Sequence, residues 1–194
     1  MEKLIEQINR YCNLSKEEET VLRQSVRTLH FPKGTAVVET GKVDDSIYFI
    51  RKGVWRAYAD RDGEQQTLWF AIEGESVFSS WGYTKGLPSR FTISSSSDSI
   101  AIELKKSTVQ KLIETSPDLM KWLNELLVDV ILSTDDLLMD ISVPNAGKRY
   151  LAFMKKMPMI FQNVSLKEIA GYLGVTPQSL SRIRASLNKL SDKT

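Results

Sequence analysis

The stretch from Ser165 to Leu187, SLKEIAGYLGVTPQSLSRIRASL, constrains this chain more than any other. Leu166, Ile169, Ala170 and Leu173 recur at i, i+3, i+4 and i+7, the spacing of one helix face. Ser165 with Glu168 three residues on forms a capping box at the start of that helix. Gly174 stops it, because a left-handed residue is needed there and glycine has no Cβ to clash. Thr176 then caps a second helix, and Pro177 takes its first position, where no N–H is required. Leu180, Ile183 and Leu187 make the buried stripe of this second helix, and Ala170 is small where the two helices cross. This is the spacing of a DNA-binding helix-turn-helix.

The second helix carries the chemistry. At about 100° per residue, Gln178, Arg182, Ala185 and Lys189 lie opposite the apolar stripe, with Ser179 and Ser186 on a flank. This face holds no carboxylate. Glutamine pairs in two places with adenine and arginine with guanine, both from the major groove. Lys189 and the serines suit phosphates, which add affinity without sequence information. The expected DNA-contacting residues are therefore Thr176, Gln178, Ser179, Arg182, Ser186 and Lys189. The plainer reading is a solvated face on an ordinary helical hairpin. The agreement of caps, turn glycine, small residue and basic face favours the DNA reader.

The charge distribution points the same way. From Pro144 onward there are nine Lys and Arg against two acids, Glu168 and Asp192, whereas the preceding residues hold an acidic excess. A basic C-terminal module on an acidic body fits a polyanionic partner. One cysteine, Cys12, excludes an internal disulfide and a four-cysteine iron–sulfur cluster. One histidine, His30, argues against a His-based metal site and against a cupin-like barrel enzyme. No Ser/His/Asp or Cys/His set is present, so no catalytic residues, metal ligands or cofactor are assigned. The start, MEKLIEQINRYC, lacks an apolar signal core, and no run approaches a membrane span. A soluble, cytoplasmic protein with no membrane partner is expected.

Taken in order, residues 1 to about 27 read as helical, with Leu4, Ile5 and Ile8 on one face and Ser15 capping a second helix through Val21, Leu22 and Val26. From Leu29 to about Leu104 the texture changes to short runs of Val, Ile, Phe, Tyr and Trp between glycines. Asp62-Gly63 is the strongest hairpin signal. Six to eight short strands without intervening helices predict a sandwich or jelly-roll barrel. Ser107 then caps a short helix, Thr108 to Glu114, and Ser116-Pro117 opens a long one to about Ser142. Leu119, Leu123, Leu126, Val130 and Leu137 form one stripe along it. Met120, Leu127, Ile131 and Leu138 form a second beside the first. The simplest solution buries one stripe on the barrel and the other on the same helix of a second copy; a helix central to a single chain is the alternative. Val143-Pro144-Asn145 breaks this helix and marks a domain boundary. A basic helix, Ala146 to Lys156, follows with Lys148, Arg149, Lys155 and Lys156, and MIFQNV is a short strand or turn. The expected division is 1–115, barrel with N-terminal helices; 116–143, dimerisation helix; and 144–194, helix-turn-helix domain.

With these elements in this order, the chain resembles the Crp/Fnr superfamily of bacterial transcription regulators. FPKG at 31–34, Gly41, YFIRKG at 48–53 and Gly74-Glu75 match the family's glycine-punctuated roll, and LGVTPQSLSRIR matches its helix-turn-helix closely. The resemblance implies an α+β fold: an N-terminal, cyclic-nucleotide-binding-like jelly-roll, a long dimerisation helix and a C-terminal winged helix-turn-helix. It implies a homodimer on double-stranded DNA at a near-palindromic operator, and allows RNA polymerase as a further partner. The strand signal for a wing beyond Leu187 is weak.

Where a ligand would bind, the sequence departs from the family. Members that bind cyclic AMP carry a Gly-Glu pair for the ribose, then Arg-Ser or Arg-Thr for the cyclic phosphate. Here Phe78-Ser79 stands where Gly-Glu is expected. Arg90 stands for the phosphate arginine, but Phe91 follows it and the hydroxyl of Thr92 is one place late. Phe78, Ser79, Arg90, Phe91 and Thr92 are the ligand-contacting candidates carried over from that cassette. Losing the carboxylate removes a charged hydrogen bond of about 1.5–3 kcal/mol, so an effector other than cyclic AMP is expected if there is one. Trp69, Phe70, Phe78, Trp81, Tyr83 and Phe91 either line a more apolar pocket or fill the roll. In the recognition helix, Pro177 and Gln178 replace the Arg and Glu of some well-known members, so the half-site should differ. A different class of function also fits: a ligand-binding module whose C-terminal helices contact a protein.

Overall fold

A computed structural model describes residues 1–191 and the side chains up to Leu187. Two helices lead the chain, α1 (Glu2–Asn9) and α2 (Lys16–Ser25). Leu4, Ile5 and Ile8 bury the face of α1 that their spacing predicts. Ser15 and Glu18 close a full capping box on α2. Helix ends sooner than expected, because Val26 is extended and Arg27 already pairs with Glu103 in a sheet.

The strands are β1 (Arg27–Phe31), β2 (Ala36–Val38), β3 (Ser46–Lys52), β4 (Val54–Arg61), β5 (Glu64–Ile72), β6 (Ser76–Val77), β7 (Thr92–Ser95) and β8 (Ser99–Lys105). They form two antiparallel four-stranded sheets, ordered β1-β8-β3-β6 and β2-β7-β4-β5. Asp62 and Gly63, at φ 55° and 81°, turn β4 into β5 as the hairpin signal predicts. One expectation fails: a helix, α3 (Ser80–Lys85), interrupts the run of strands between β6 and β7. It has no apolar period of its own. The Ser79 hydroxyl caps it by accepting the Gly82 amide at 3.2 Å, and Gly82 sits so close on the Asp44 carbonyl that no Cβ would fit.

After the roll come α4 (Lys106–Thr115) and α5 (Leu119–Ser142). Ser107 does not cap α4, which starts at Lys106 after Lys105; the Lys106 ammonium instead donates to the Tyr83 carbonyl at 2.6 Å. Likewise α5 starts at Leu119, after a turn through Ser116-Pro117-Asp118. The break at Val143-Pro144 is where expected. Beyond it lie α6 (Ala146–Lys156), α7 (Ile160–Asn163), α8 (Leu166–Leu173) and α9 (Pro177–Ser191). The MIFQNV segment is a helical turn rather than a strand, drawn inward by the fully buried Ile160. Residues 188–191 continue α9, so the wing of a winged helix-turn-helix is not among the described residues.

Three apolar clusters hold this together. The first joins α1, α2, α4 and α5 to β3 and β8, and it takes up the first stripe of α5: Leu119 and Leu126 are buried, with Trp122 between them, and Leu123 and Val130 pack alongside. The second fills the roll around Ile50, Trp55, Ala57, Ile93 and Ala101. The third packs α6 to α9 onto the outer side of β4 and β5, through Val54 and Phe70. The second stripe of α5 stays largely uncovered: Met120, Ile131 and Leu138 are 43, 61 and 56% exposed.

Candidate nucleic-acid interface

The helix-turn-helix forms as its local signals dictate. The Ser165 hydroxyl accepts the Glu168 amide at 3.2 Å, and the Glu168 carboxylate accepts the Ser165 amide at 2.7 Å. Gly174 takes φ 66°, and the Val175 amide reaches back to the Ala170 carbonyl at 3.0 Å, closing the end of α8 in a Schellman arrangement. The Thr176 hydroxyl accepts the Ser179 amide at 3.2 Å and starts α9. Ile169, Ala170, Leu173 and Leu180 are buried at the crossing, with Ile183 and Leu187 half-buried beside them. Leu166, expected on the buried face, is exposed, because it sits on the first turn, beyond the reach of α9.

Burying Leu180 turns the opposite face of α9 to solvent. Thr176, Gln178, Arg182 and Ser186 are exposed and Ser179 is half-exposed, so these five share one accessible surface. Lys189 belongs to α9, but its side chain lies outside the described residues. Ser186 spends its hydroxyl proton on the Arg182 carbonyl at 2.9 Å, leaving oxygen lone pairs outward. Ser181 and Arg184 are also exposed and were missed. Arg184 falls near the edge of the apolar stripe on a helical wheel.

The basic helix α6 divides its cations between two tasks. Lys148 and Lys155 are exposed. Arg149 is not a surface cation: its guanidinium donates to the Val143 carbonyl at 2.6 Å and the Leu173 carbonyl at 2.8 Å, tying the break after α5 to the C-terminus of α8. Lys156 pairs with Asp140 of α5 at 3.3 Å. Between them Tyr172 packs on Phe153, ring centroids 4.5 Å apart; burial, aided by the Asp140 charge, pushes its phenol up to about 12.

The helix pair is also docked on the roll. Arg56 points outward from β4 with its Nε 3.1 Å from a Glu168 oxygen, and the Ser96 hydroxyl donates to the same oxygen at 3.2 Å. Phe70 of β5 stacks against Phe153 and Tyr172 at 5.9 and 5.6 Å. Sequence reading missed Arg56 because its partner lies far along the chain.

The ligand candidates are dispersed. Phe78 packs with Tyr83 in the cluster beneath the N-terminal helices. Ser79 is fully buried as the cap of α3. Arg90 is exposed, its guanidinium 4.0 Å over the Trp81 ring. Phe91 meets Trp69 edge-on, and Thr92 is engaged by the Thr40 hydroxyl and amide. Five of the six aromatic residues singled out from sequence thus divide among three clusters, and the sixth, Trp81, lies under Arg90, so they do not line one pocket. Three others fill the roll: Phe31, Tyr48 and Trp55 lie within 5.2 to 6.4 Å of one another, and Trp55 is fully buried.

Among the described residues no helix is long and apolar enough to cross a membrane, and no cluster of metal-ligating side chains is present. Residues 28–116 match the family model for the cyclic nucleotide-binding domain. The nitrogen fixation regulation protein FixK of Bradyrhizobium diazoefficiens is 23% identical over 175 residues, covering 84% of this chain and 72% of its own. The structure of FixK2 from Bradyrhizobium japonicum superposes with a TM-score of 0.74 at 18% identity, over 86% of each chain. A protein from Eubacterium rectale assigned to the Crp/Fnr family of transcriptional regulators superposes at 0.72 with 16% identity, over 90% of this chain and 84% of that one. A roll of two four-stranded sheets, one long helix and a capped helix-turn-helix give this chain the fold of these solved structures, with residues 28–116 similar to a cyclic nucleotide-binding domain.

Proposed function

We propose that this protein is a homodimeric, sequence-specific DNA-binding transcription regulator of the bacterial cytoplasm. The observation that carries this reading is the open face of α9: Gln178 and Arg182 stand in solvent directly opposite the fully buried Leu180. The exposed stripe of α5, Met120, Ile131 and Leu138, supports the dimer. A single helix does not leave such a stripe in water without a partner to cover it. Two copies joined there would present two recognition helices to one operator, which should then be a near-palindrome with half-sites about one DNA turn apart.

The filled roll supports a regulator that reads DNA without an added nucleotide. An effector would act only through its differential affinity for dimers whose helix spacing fits DNA and dimers whose spacing does not. Selection of bound sequences from random duplexes by the purified protein, with no ligand added, tests the reading, and a palindromic motif is the expected result. Arg182→Ala should then cost about 1–3 kcal/mol on the selected site and relax preference at one base. Equal losses on selected and random DNA would remove Arg182 as a base reader. Failure to recover any motif, with salt-independent absence of binding, would favour a protein partner for these helices.

A further inference from the structure

We propose that Arg56 is a positioning residue for DNA recognition: its ion pair with Glu168 sets the angle at which the helix-turn-helix sits on the roll. This rests on the DNA-reading role proposed above. The pair is largely withdrawn from water, with side chains 11 and 15% exposed. The guanidinium is aimed by its own hairpin, since Nη1 donates to the Thr67 hydroxyl at 3.3 Å and Nη2 to the Gln65 amide oxygen.

The Glu168 carboxylate is divided between two structures. One oxygen accepts from the Ser165 amide and hydroxyl at 2.7 and 2.8 Å, holding the start of α8. The other faces Arg56 and Ser96 of the roll. A glycine, Gly171, lets α8 approach: a Cβ there would lie 3.2 Å from the Thr67 amide nitrogen and 3.3 Å from the Gln65 carbonyl. The surrounding aromatic contacts, Phe70 with Phe153 and Tyr172, also prefer particular ring orientations, but they carry no charge that misdocking would strand. The Arg56 Nε–H makes no hydrogen bond among the described residues, so the pair is a close charge contact, and the aimed bond to that carboxylate oxygen comes from the Ser96 hydroxyl. Such a buried pair adds little net stability, and moving α8 would leave both charges buried and apart. Since α9 packs on α8 through Leu180, the angle of α8 is the angle of the reader. That angle matters when two readers must meet two half-sites together, and not when one reader meets one.

Arg56→Met and Glu168→Gln test this in the full chain. Glutamine at 168 keeps an oxygen for the capping box while removing the charge and the acceptor that face Arg56 and Ser96. Spin labels at Lys33→Cys on the roll and Lys167→Cys on α8 report the docking angle directly, Cys12 being buried. With labelled chains diluted in an excess of unlabelled chain, so that both labels lie on one protomer, the wild-type protein should give one narrow distance distribution and both variants a broadened one. Affinity for the selected palindrome should fall by at least about tenfold, while affinity for an isolated half-site stays within about twofold. Unchanged distance distributions in both variants, or equal losses on palindrome and half-site, would overturn the proposal. If the wild-type protein selects no DNA sequence, the DNA-reading role fails, and the distance distributions still decide whether Arg56 holds the docking.

Discussion

The two faces of the β2-β7-β4-β5 sheet are built from alternating residues of the same strands, yet they do different work. The inner face contributes Trp55, Ala57, Ala71 and Ile93, each buried and apolar, to a core closed on itself. The outer face contributes Val54 and Phe70, and beside them in the pleat a charged residue, Arg56, whose partner is Glu168 of α8. Close apolar packing on the inner face supplies stability without choosing an orientation. The outer face adds a buried charge pair, with a hydrogen bond from Ser96 to the same carboxylate, at little gain in stability. One sheet thus holds the roll shut on one side and carries the C-terminal helices on the other.

Substitution on each face sharpens the contrast. Trp55→Ala should have the largest effect, lowering the unfolding free energy by about 3–5 kcal/mol in urea titrations followed by circular dichroism. A loss under about 1 kcal/mol would show that the interior is not close-packed and would reopen the roll as a ligand chamber. Phe70→Ala comes next, at about 3 kcal/mol, and the loss should appear as an earlier, separate melting of the C-terminal helices, because its ring meets Phe153 and Tyr172 across the junction. If it instead lowers the main transition of the roll as much as Trp55→Ala does, the two faces form one cooperative unit and the contrast fails. Ser96→Ala is the smallest, about 1 kcal/mol or less, since it removes a single hydrogen bond to Glu168. Calorimetry should place that loss in the same C-terminal transition.

Much of the reader was legible before the fold was known. Ser165, Glu168, Gly174, Thr176 and Pro177 act through bonds to residues no more than about a turn away, so their pattern carries its own geometry. The stripe on α5 that meets the roll was legible for the same reason of periodicity. Where signals were not local, expectation and structure part. The helix α3 lacks an apolar stripe and exists because Gly82 fits against Asp44. The cassette residues rest on the family resemblance and not on any local pattern. Here Ser79 is consumed as a cap and Arg90 lies over Trp81. Arg149 read as one cation among four on a basic helix, and nothing in its neighbours in sequence predicts that it would bind two backbone carbonyls.

Residue order alone determined the element boundaries at the helix-turn-helix, the Asp62-Gly63 hairpin, the break at Pro144, the basic C-terminal quarter and the exposure of Gln178, Arg182 and Ser186 on α9. Caps, glycine turns and periodic stripes are interactions within about one turn or one pleat, and the chain states them wherever it goes. Only the tertiary structure decided that Phe31, Tyr48 and Trp55 fill the roll, that Arg149 closes the break after α5, and that Arg56 meets Glu168. Those partners lie on different elements. Their meeting depends on how whole sheets and helices dock, which no local pattern encodes.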